Sequence, residues 1–157
     1  MTFQSVHHPG AVSQSWLALQ AQARPVAVAL LAVMTVGLAA ALRGHDVLWP
    51  FLGAATLAYA VGAYAAHTRL VTTPAAIEVR GPFATVRSIW EAASDASVER
   101  LEPVVSARLQ HGELSVGLGD HIVELRPADW PEFDALVSAF RGAALEGQAL
   151  LAQSPPS

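Results

Sequence analysis

The 157-residue chain contains no cysteine and no lysine, and only 14% of its residues are charged. The absence of cysteine excludes disulfides, thiol catalysis and thiolate metal sites. The absence of lysine leaves nine arginines against thirteen acidic residues. This balance argues against nucleic acid as a partner, because nucleic-acid binding requires a concentrated basic surface.

The chain also contains two long apolar stretches. They cover residues 25–42 and 47–66, and only the sequence Arg-Gly-His-Asp separates them. Each is close to the roughly 20 apolar residues that a helix needs to cross a hydrocarbon core of about 30 Å. The roughly 90 residues that follow the second stretch are too few to wrap two helices that are apolar on all sides. The sequence therefore predicts a membrane-embedded helical hairpin.

The hairpin is assigned to residues 21–67, with transmembrane helices at about 22–42 and 47–66. A cleaved signal peptide is the alternative for the first stretch, but that stretch exceeds the roughly 7–15 apolar residues of a signal-peptide core. A second span also follows at once. Asp46 is predicted to cap the second helix.

Arginines near the span ends predict the orientation, because cytoplasmic flanks carry the excess of positive charge. Arg24 precedes the first span, and Arg69, Arg80 and Arg87 follow the second. Arg43 alone lies in the connecting turn. Both termini are therefore predicted to be cytoplasmic. The abundance of Ala, Arg and Gly favours a bacterial genome and hence the bacterial inner (plasma) membrane.

Small residues recur four apart on the second span, at Ala54, Ala58, Gly62 and Ala66. Such spacing allows helix backbones to approach each other closely. One interpretation is a docking surface for a partner protein, and the other is packing of the two spans against each other. No cofactor is predicted, and whether a pigment, quinone or lipid lies against the hairpin stays open.

Residues 1–20 are predicted to form a cytoplasmic segment whose apolar end, around Trp16, suits a helix lying on the membrane surface. His7 and His8 precede Pro-Gly in this segment. Adjacent side chains cannot readily chelate one ion without further ligands, so a loop is predicted there rather than a metal site.

After His67, β-branched residues alternate with polar ones, as is typical of half-buried strands. Strands are predicted at residues 69–73, 76–80, 83–89, 98–101, 104–110, 113–116 and 121–126. Short strands separated by turns predict an antiparallel meander or small barrel. Residues 68–144 are assigned to this soluble α+β domain and residues 145–157 to a flexible tail.

A C-terminal helix is predicted to cap the sheet. Asp129 is its expected N-cap, with Pro131 in the first turn and Glu132 completing a capping box. Its apolar stripe, which would cover the sheet, consists of Trp130, Phe133, Leu136, Val137 and Phe140. Gly142 is expected to end or weaken the helix.

Five segments carry a resemblance to a known family: residues 69–73, 77–80, 112–116, 121–125 and 129–140. With the order of two spans, about seven strands and one capping helix, they resemble bacterial membrane proteins with a pleckstrin-homology-like (PH-like) domain. The resemblance covers roughly residues 69–143. It implies a non-catalytic module for assembly and protein contact.

Lipid headgroups are the first ligand that a PH-like domain implies. Seven arginines against twelve acidic residues between positions 67 and 146 oppose attraction to anionic lipid. Arg80 and Arg87 are nevertheless candidates for a small basic face that contacts headgroups, and Arg108 is a third candidate.

No catalytic or metal site is predicted, because the nearest cluster of titratable residues is explained by the alternation and turns of a β-hairpin. That cluster consists of His111, Glu113, Asp120, His121 and Glu124. A catalytic role would require a pocket that unites His111 with His121.

The sequence thus predicts a non-catalytic accessory or assembly subunit, in contact with membrane lipids, that docks on a larger membrane protein complex. The alternative is a membrane-anchored module that senses a lipid or another ligand. A homo-oligomer is left open.

Overall fold

The computed structural model describes residues 1–46, 48–94 and 100–153. The chain divides into two compact units. The hairpin unit is Ala11–Thr73, and the β unit combines Met1–Gly10 with Pro74–Ser157. The hairpin unit is therefore an insertion in the β unit, to which its two ends are joined.

Two long helices form the hairpin unit, α1 (Gln14–Ala41) and α2 (Leu48–Thr72). An 18-residue window within each has a mean hydropathy of 1.9 and 1.3, respectively, and both helices are long and apolar enough to cross a membrane. At helical rise they extend about 42 and 37 Å, which exceeds a hydrocarbon core of about 30 Å. The Asp46 carboxylate accepts a hydrogen bond from the Leu48 backbone nitrogen at 3.3 Å, so Asp46 caps α2 as predicted.

The strand predicted at residues 69–73 is wrong, because α2 continues to Thr72. The hydroxyl of Thr72 donates to the Thr68 carbonyl at 2.8 Å, one of the back-bonds by which threonine is accommodated in a helix. Thr73 comes next and precedes Pro74, and the helical conformation is unfavourable for a residue that precedes proline. The β-branched residues at the end of α2 therefore complete a helix and do not begin a strand.

Within the described residues the β unit holds a six-stranded antiparallel sheet in which neighbours in sequence are neighbours in space. The predicted meander is confirmed, as an open sheet. Its strands are β1 (Thr2–Gln4), β2 (Pro74–Arg80), β3 (Phe83–Ser88), β4 (Glu102–Gln110), β5 (Glu113–Leu118) and β6 (His121–Leu125). The five strands after the hairpin match predicted strands, with ends shifted by up to two residues.

A short helix, α3 (Ile89–Ala92), follows β3 and begins with a capping box between Ser88 and Glu91. A further strand was predicted at residues 98–101. Residues 98 and 99 lie outside the described residues, and Arg100 and Leu101 precede β4 without belonging to a strand.

The N-terminal strand β1 pairs antiparallel with β2, which the sequence did not predict. Phe3 is buried opposite Ile77. The Val79 backbone nitrogen donates to the Met1 carbonyl at 2.8 Å. Three residues are too few to show period-two alternation, and the partner strand lies more than 70 residues away in sequence.

The C-terminal helix α4 (Phe133–Gln153) begins later than predicted, after a 3₁₀ turn at Pro127–Asp129. The Leu136 backbone nitrogen donates to the Glu132 carbonyl at 3.0 Å, so Asp129 is not the N-cap. Gly142 does not end the helix, because the residues that follow are rich in alanine and leucine, which favour helix. The helix thus includes residues 145–153, which the sequence assigned to a tail.

The hydrophobic core of the β unit lies between the sheet and α4. The predicted apolar stripe is confirmed for the four residues that lie on α4: Leu136, Val137 and Phe140 are buried, and Phe133 packs against the core. Trp130 is also buried in this core, but it precedes the helix. From the sheet, Ile77, Leu114, Val116, Leu118 and Leu125 meet this stripe. The opposite face of the sheet carries charged residues such as Glu78 and Glu124 and also exposed apolar residues such as Phe83 and Ile122.

Candidate functional site

The small-residue stripe on α2 is divided between different environments. Ala54 is exposed, Ala58 is half-buried, and Gly62 and Ala66 are buried. A Cβ atom added to Gly62 would lie 3.0 Å from Val26 Cγ2 and 3.3 Å from the Val26 backbone nitrogen. Gly62 therefore allows the backbone of α1 to approach α2 closely. At this position the stripe serves packing of the two helices, which was one of the two interpretations.

A second glycine contact lies toward the other end of the hairpin. A Cβ atom on Gly37 of α1 would come within 2.9 Å of Phe51 Cδ2 on α2. Each helix thus offers a glycine to a side chain of the other, Gly62 to Val26 and Gly37 to Phe51. These contacts match the two helices by shape, and close packing of this kind is what holds helices together wherever they cross a lipid bilayer.

Beside the Gly37–Phe51 contact lies an apolar cavity of about 400 Å³, here called the hairpin cleft. It is lined by Ala32, Val33, Val36, Gly37, Ala40, Pro50, Phe51 and Ala54. Ala54, one of the four predicted docking residues, therefore lies on a recess of the hairpin and not on a flat face.

The predicted basic face is interrupted. Arg80 is opposite Phe83 and Arg87 is opposite Ala76, so the two arginines lie near opposite ends of the β2–β3 pair. Four residues of strand correspond to about 13 Å. Arg80 Nε donates to Glu78 Oε1 at 2.8 Å, and Glu78 lies on the same face between the two arginines.

Electrostatics on this face are those of an ion pair rather than of a free basic patch. The hydrogen bond from Arg80 holds the pKa of the Glu78 carboxyl below its usual value, and the charges of Arg80 and Arg87 lower it further, while burial opposes them. A carboxylate between two arginines reduces the attraction of this face for an anionic surface.

Arg87 also lines a separate recess of about 300 Å³, here called the polar cavity. Its lining residues come from β3, α3, the segment before β4, and β4, β5 and β6. They are Thr85, Val86, Arg87, Glu91, Arg100, Glu102, Leu118 and His121. Two arginines, two glutamates and a histidine thus face one volume.

Several polar groups of this cavity are already bonded within the fold. The Glu91 carboxylate accepts hydrogen bonds from the Ser88 backbone nitrogen at 2.9 Å and from the Ser88 hydroxyl at 3.1 Å. The Thr85 hydroxyl donates to the Arg100 carbonyl at 3.2 Å. These bonds fix the walls of the polar cavity.

Glu102 differs from these groups. Its Oε2 atom is buried and has no hydrogen-bond partner among the described residues. His121 Nδ1 lies 3.3 Å away, within ion-pair distance but outside hydrogen-bond geometry. The His121 ring therefore approaches this oxygen without satisfying it.

The titratable cluster around the β5 hairpin does not converge. His111 lies in the β4–β5 turn with a φ of 52°, whereas His121 begins β6 opposite Leu118. The length of β5, about 16 Å, separates the two positions. Glu113 instead forms an ion pair with Arg126 at 3.1 Å. In the described ranges no group of three or more His, Asp or Glu residues could hold a metal ion.

His7 and His8 lie in the loop predicted for them. His7 Nε2 lies 3.2 Å from Asp129 Oδ1, and His8 Nδ1 accepts a hydrogen bond from the Gly10 nitrogen at 3.1 Å. The Asp129 side chain therefore contacts His7 and does not cap the C-terminal helix, contrary to the prediction from the sequence.

The sequence did not single out the polar cavity, although it named Arg87 and His121. Glu91 lies in α3, Arg100 precedes β4 and Glu102 begins β4, so no single periodic segment contains the three residues. Comparisons of this chain with protein-family models, curated proteins and solved structures find no match.

Proposed function

We propose that this chain is a non-catalytic accessory subunit that docks on a larger membrane protein complex through its hairpin. The observation that carries the proposal is the hairpin cleft, an apolar recess of about 400 Å³ on a pair of helices whose outer faces are uncovered in the hairpin. Leu57 and Val36 are 65% and 70% exposed. Such surfaces require lipid or protein around them.

A transmembrane helix of a partner is the occupant that fits the cleft. In lipid, helices associate through close packing, and recesses beside small residues such as Gly37, Ala40 and Ala54 allow a partner side chain to enter. An unfilled recess forfeits the dispersion contacts of its lining, which an inserted side chain would restore. The separation of His111 from His121 supports the non-catalytic part of the proposal.

For the β unit we propose a PH-like domain at the cytoplasmic face of a bacterial inner membrane. An antiparallel meander closed by a C-terminal helix supports the PH-like assignment. The pairing of β1 with β2 supports a topology with both ends of the hairpin on one side, because Met1–Gly10 and Pro74–Ser157 belong to one unit. The arginine bias of the span flanks favours the cytoplasmic side.

Cysteine labelling tests this topology, since the chain has no cysteine of its own. His45→Cys, in the connecting turn, is expected to react with a membrane-impermeant maleimide on intact cells. Glu124→Cys, on exposed β6, is expected to react only after permeabilisation. Labelling of both positions on intact cells, or of neither, would contradict the two-span, cytoplasmic-domain topology.

Docking is tested by filling the cleft. Ala54→Leu is expected to lower the amount of partner that co-purifies from native membranes in mild detergent by about tenfold or more, the change that 1.4 kcal/mol of binding produces. Ala60→Leu makes the same change at an exposed position of α2 outside the cleft and is the matched control. The measurement is the stoichiometry of co-migrating proteins by mass spectrometry.

Cross-linking from Ala54→Cys identifies what lies in the cleft. The proposal expects a bond to a transmembrane segment of one stoichiometric partner. It is wrong if the wild-type particle is no larger than a monomer or homodimer in its micelle. Equal loss of the partner in Ala54→Leu and Ala60→Leu would likewise remove the cleft from the interface.

A second candidate function is ligand or lipid sensing by the β unit, and the polar cavity favours it. Arg87 lines that cavity, whereas Arg80 is bonded to Glu78. A sensing function would therefore depend on Arg87 and the groups around it more than on Arg80.

A further inference from the structure

The polar cavity of the β unit carries a balanced set of charges that the docking proposal does not use. Arg87 and Arg100 face the same volume as Glu91 and Glu102. Neither arginine forms a side-chain hydrogen bond or ion pair with any residue in 1–46, 48–94 or 100–153. Among the described side chains, therefore, none occupies the donors of these two guanidinium groups.

An arginine pair is suited to an oxyanion. Each guanidinium presents several N–H donors in a planar fork that matches phosphate or carboxylate oxygens. Arg87 is held by β3 and Arg100 by the segment before β4, where the Thr85 hydroxyl bonds its carbonyl. The two side chains thus line one volume from separate segments of the β unit.

Glu102 contributes a hydrogen-bond acceptor to the polar cavity, whereas the two arginines contribute donors. Among the described residues no group donates a hydrogen bond to its buried Oε2 atom, although His121 Nδ1 lies 3.3 Å away, and a buried acceptor without such a bond in a native protein calls for an explanation. A charged N–H donor inside the cavity would satisfy it. Glu91 adds a second negative charge to the cavity wall, although its carboxylate is already bonded to Ser88.

We propose that the polar cavity binds a compact zwitterion, with a phosphate beside Arg87 and Arg100 and a primary ammonium beside Glu102. The two glutamates oppose a simple anion, because they offset the charge of the two arginines. A ligand with both charges meets each group with its complement. A volume of about 300 Å³ suits a group the size of phosphoethanolamine.

This chemistry has two sources, the headgroup of phosphatidylethanolamine or a free phosphoethanolamine-like molecule. The inference does not depend on the docking proposal, and it gives the sensing candidate a defined ligand. Because it is tested on purified full-length protein without any partner, its failure would leave the docking proposal unaffected.

Calorimetry of the full-length protein in phosphatidylcholine nanodiscs tests the proposal, with O-phosphoethanolamine as the titrant. We expect saturable binding that is at least tenfold stronger than that of phosphocholine, whose quaternary ammonium has no N–H donor. Inorganic phosphate is expected to bind at least tenfold more weakly as well. Absence of saturable binding, or equal binding of inorganic phosphate, would overturn the proposal.

Variants locate the site. Glu102→Gln is expected to weaken phosphoethanolamine binding at least tenfold and to remove most of the preference over phosphocholine, while Arg87→Gln weakens both ligands. Arg108→Gln changes an exposed arginine of β4 outside the cavity and is the matched control. An unchanged thermal melting temperature shows that each variant is folded. Binding that survives both cavity substitutions would contradict the site.

Nanodiscs of different composition then distinguish the two sources. In phosphatidylethanolamine nanodiscs, a cavity that takes the lipid headgroup will bind free O-phosphoethanolamine at least tenfold more weakly than in phosphatidylcholine nanodiscs. A cavity that takes the free molecule will bind it equally in both. Either result supports the zwitterion site, provided that Glu102→Gln weakens the binding measured in phosphatidylcholine at least tenfold.

Discussion

Phe140→Ala is expected to lower the free energy of unfolding of the β unit by about 3–5 kcal/mol, the cost of truncating a fully buried phenylalanine. Phe140 has no exposed surface and is among the largest fully buried side chains of the described residues. It lies on α4 within the core formed with the sheet. Its loss would leave a cavity that the flanking strands cannot fill without moving.

The measurement is urea denaturation of the full-length protein in mild detergent, followed by near-ultraviolet circular dichroism. Phe83→Ala is the matched control, because Phe83 is 42% exposed at the start of β3. We expect that control to cost no more than about 1 kcal/mol, as is usual for substitutions near the surface. Similar costs for the two variants would show that α4 does not complete the core.

The core of α4 could be predicted from the sequence because its residues recur at helical spacing within one local segment. The spacing of Phe133, Leu136 and Phe140 alone determines which face of α4 is apolar. The strands after the hairpin were predicted for the same reason, since alternation along β2 or β5 is visible in six or seven consecutive residues. Local periodicity therefore accounts for most of the β unit.

Ends of elements were less predictable because they depend on competing local and distant interactions. Asp129 has the residue type of an N-cap, yet its side chain meets His7, more than 120 residues away. Residues 69–73 have the composition of a strand, yet they extend a helix that is already formed. In both cases the residue types favoured one local structure, whereas contacts with the rest of the chain favoured a different one.

The candidate site shows the same limit more strongly. Small residues on α2 could be found by spacing, but not which of them meet α1. Val26 occupies the space beside Gly62, whereas Ala54 borders an open recess. The polar cavity joins residues from β3 to β6, and the approach of His121 to Glu102 follows only from the strand order. Both surfaces depend on pairing between elements, which no single segment encodes.

Gly62→Leu is expected to destabilise the hairpin by about 1–3 kcal/mol, the range for overpacking a well-packed interface. Its Cβ atom would lie 3.3 Å from the backbone nitrogen and 3.4 Å from the Cα atom of Val26. Backbone atoms cannot rotate away as a side chain can, so α1 and α2 must separate or shift. The measurement is the SDS concentration at which the detergent-solubilised protein loses the proximity of engineered cysteines on the two helices.

Gly53→Leu separates this packing effect from the general effect of replacing a helical glycine. A Cβ atom on Gly53 has no neighbour within 4 Å, and the same change there is expected to be neutral or to stabilise α2 by up to about 1 kcal/mol, because glycine disfavours helix. Equal SDS sensitivity of the two variants would contradict the close approach at Val26. If Gly62→Leu opens the hairpin and Gly53→Leu does not, then loss of a partner protein in the Gly62→Leu variant is a consequence of the opened hairpin. Ala54→Leu, which leaves the Gly62–Val26 contact intact, is then the substitution that tests docking itself.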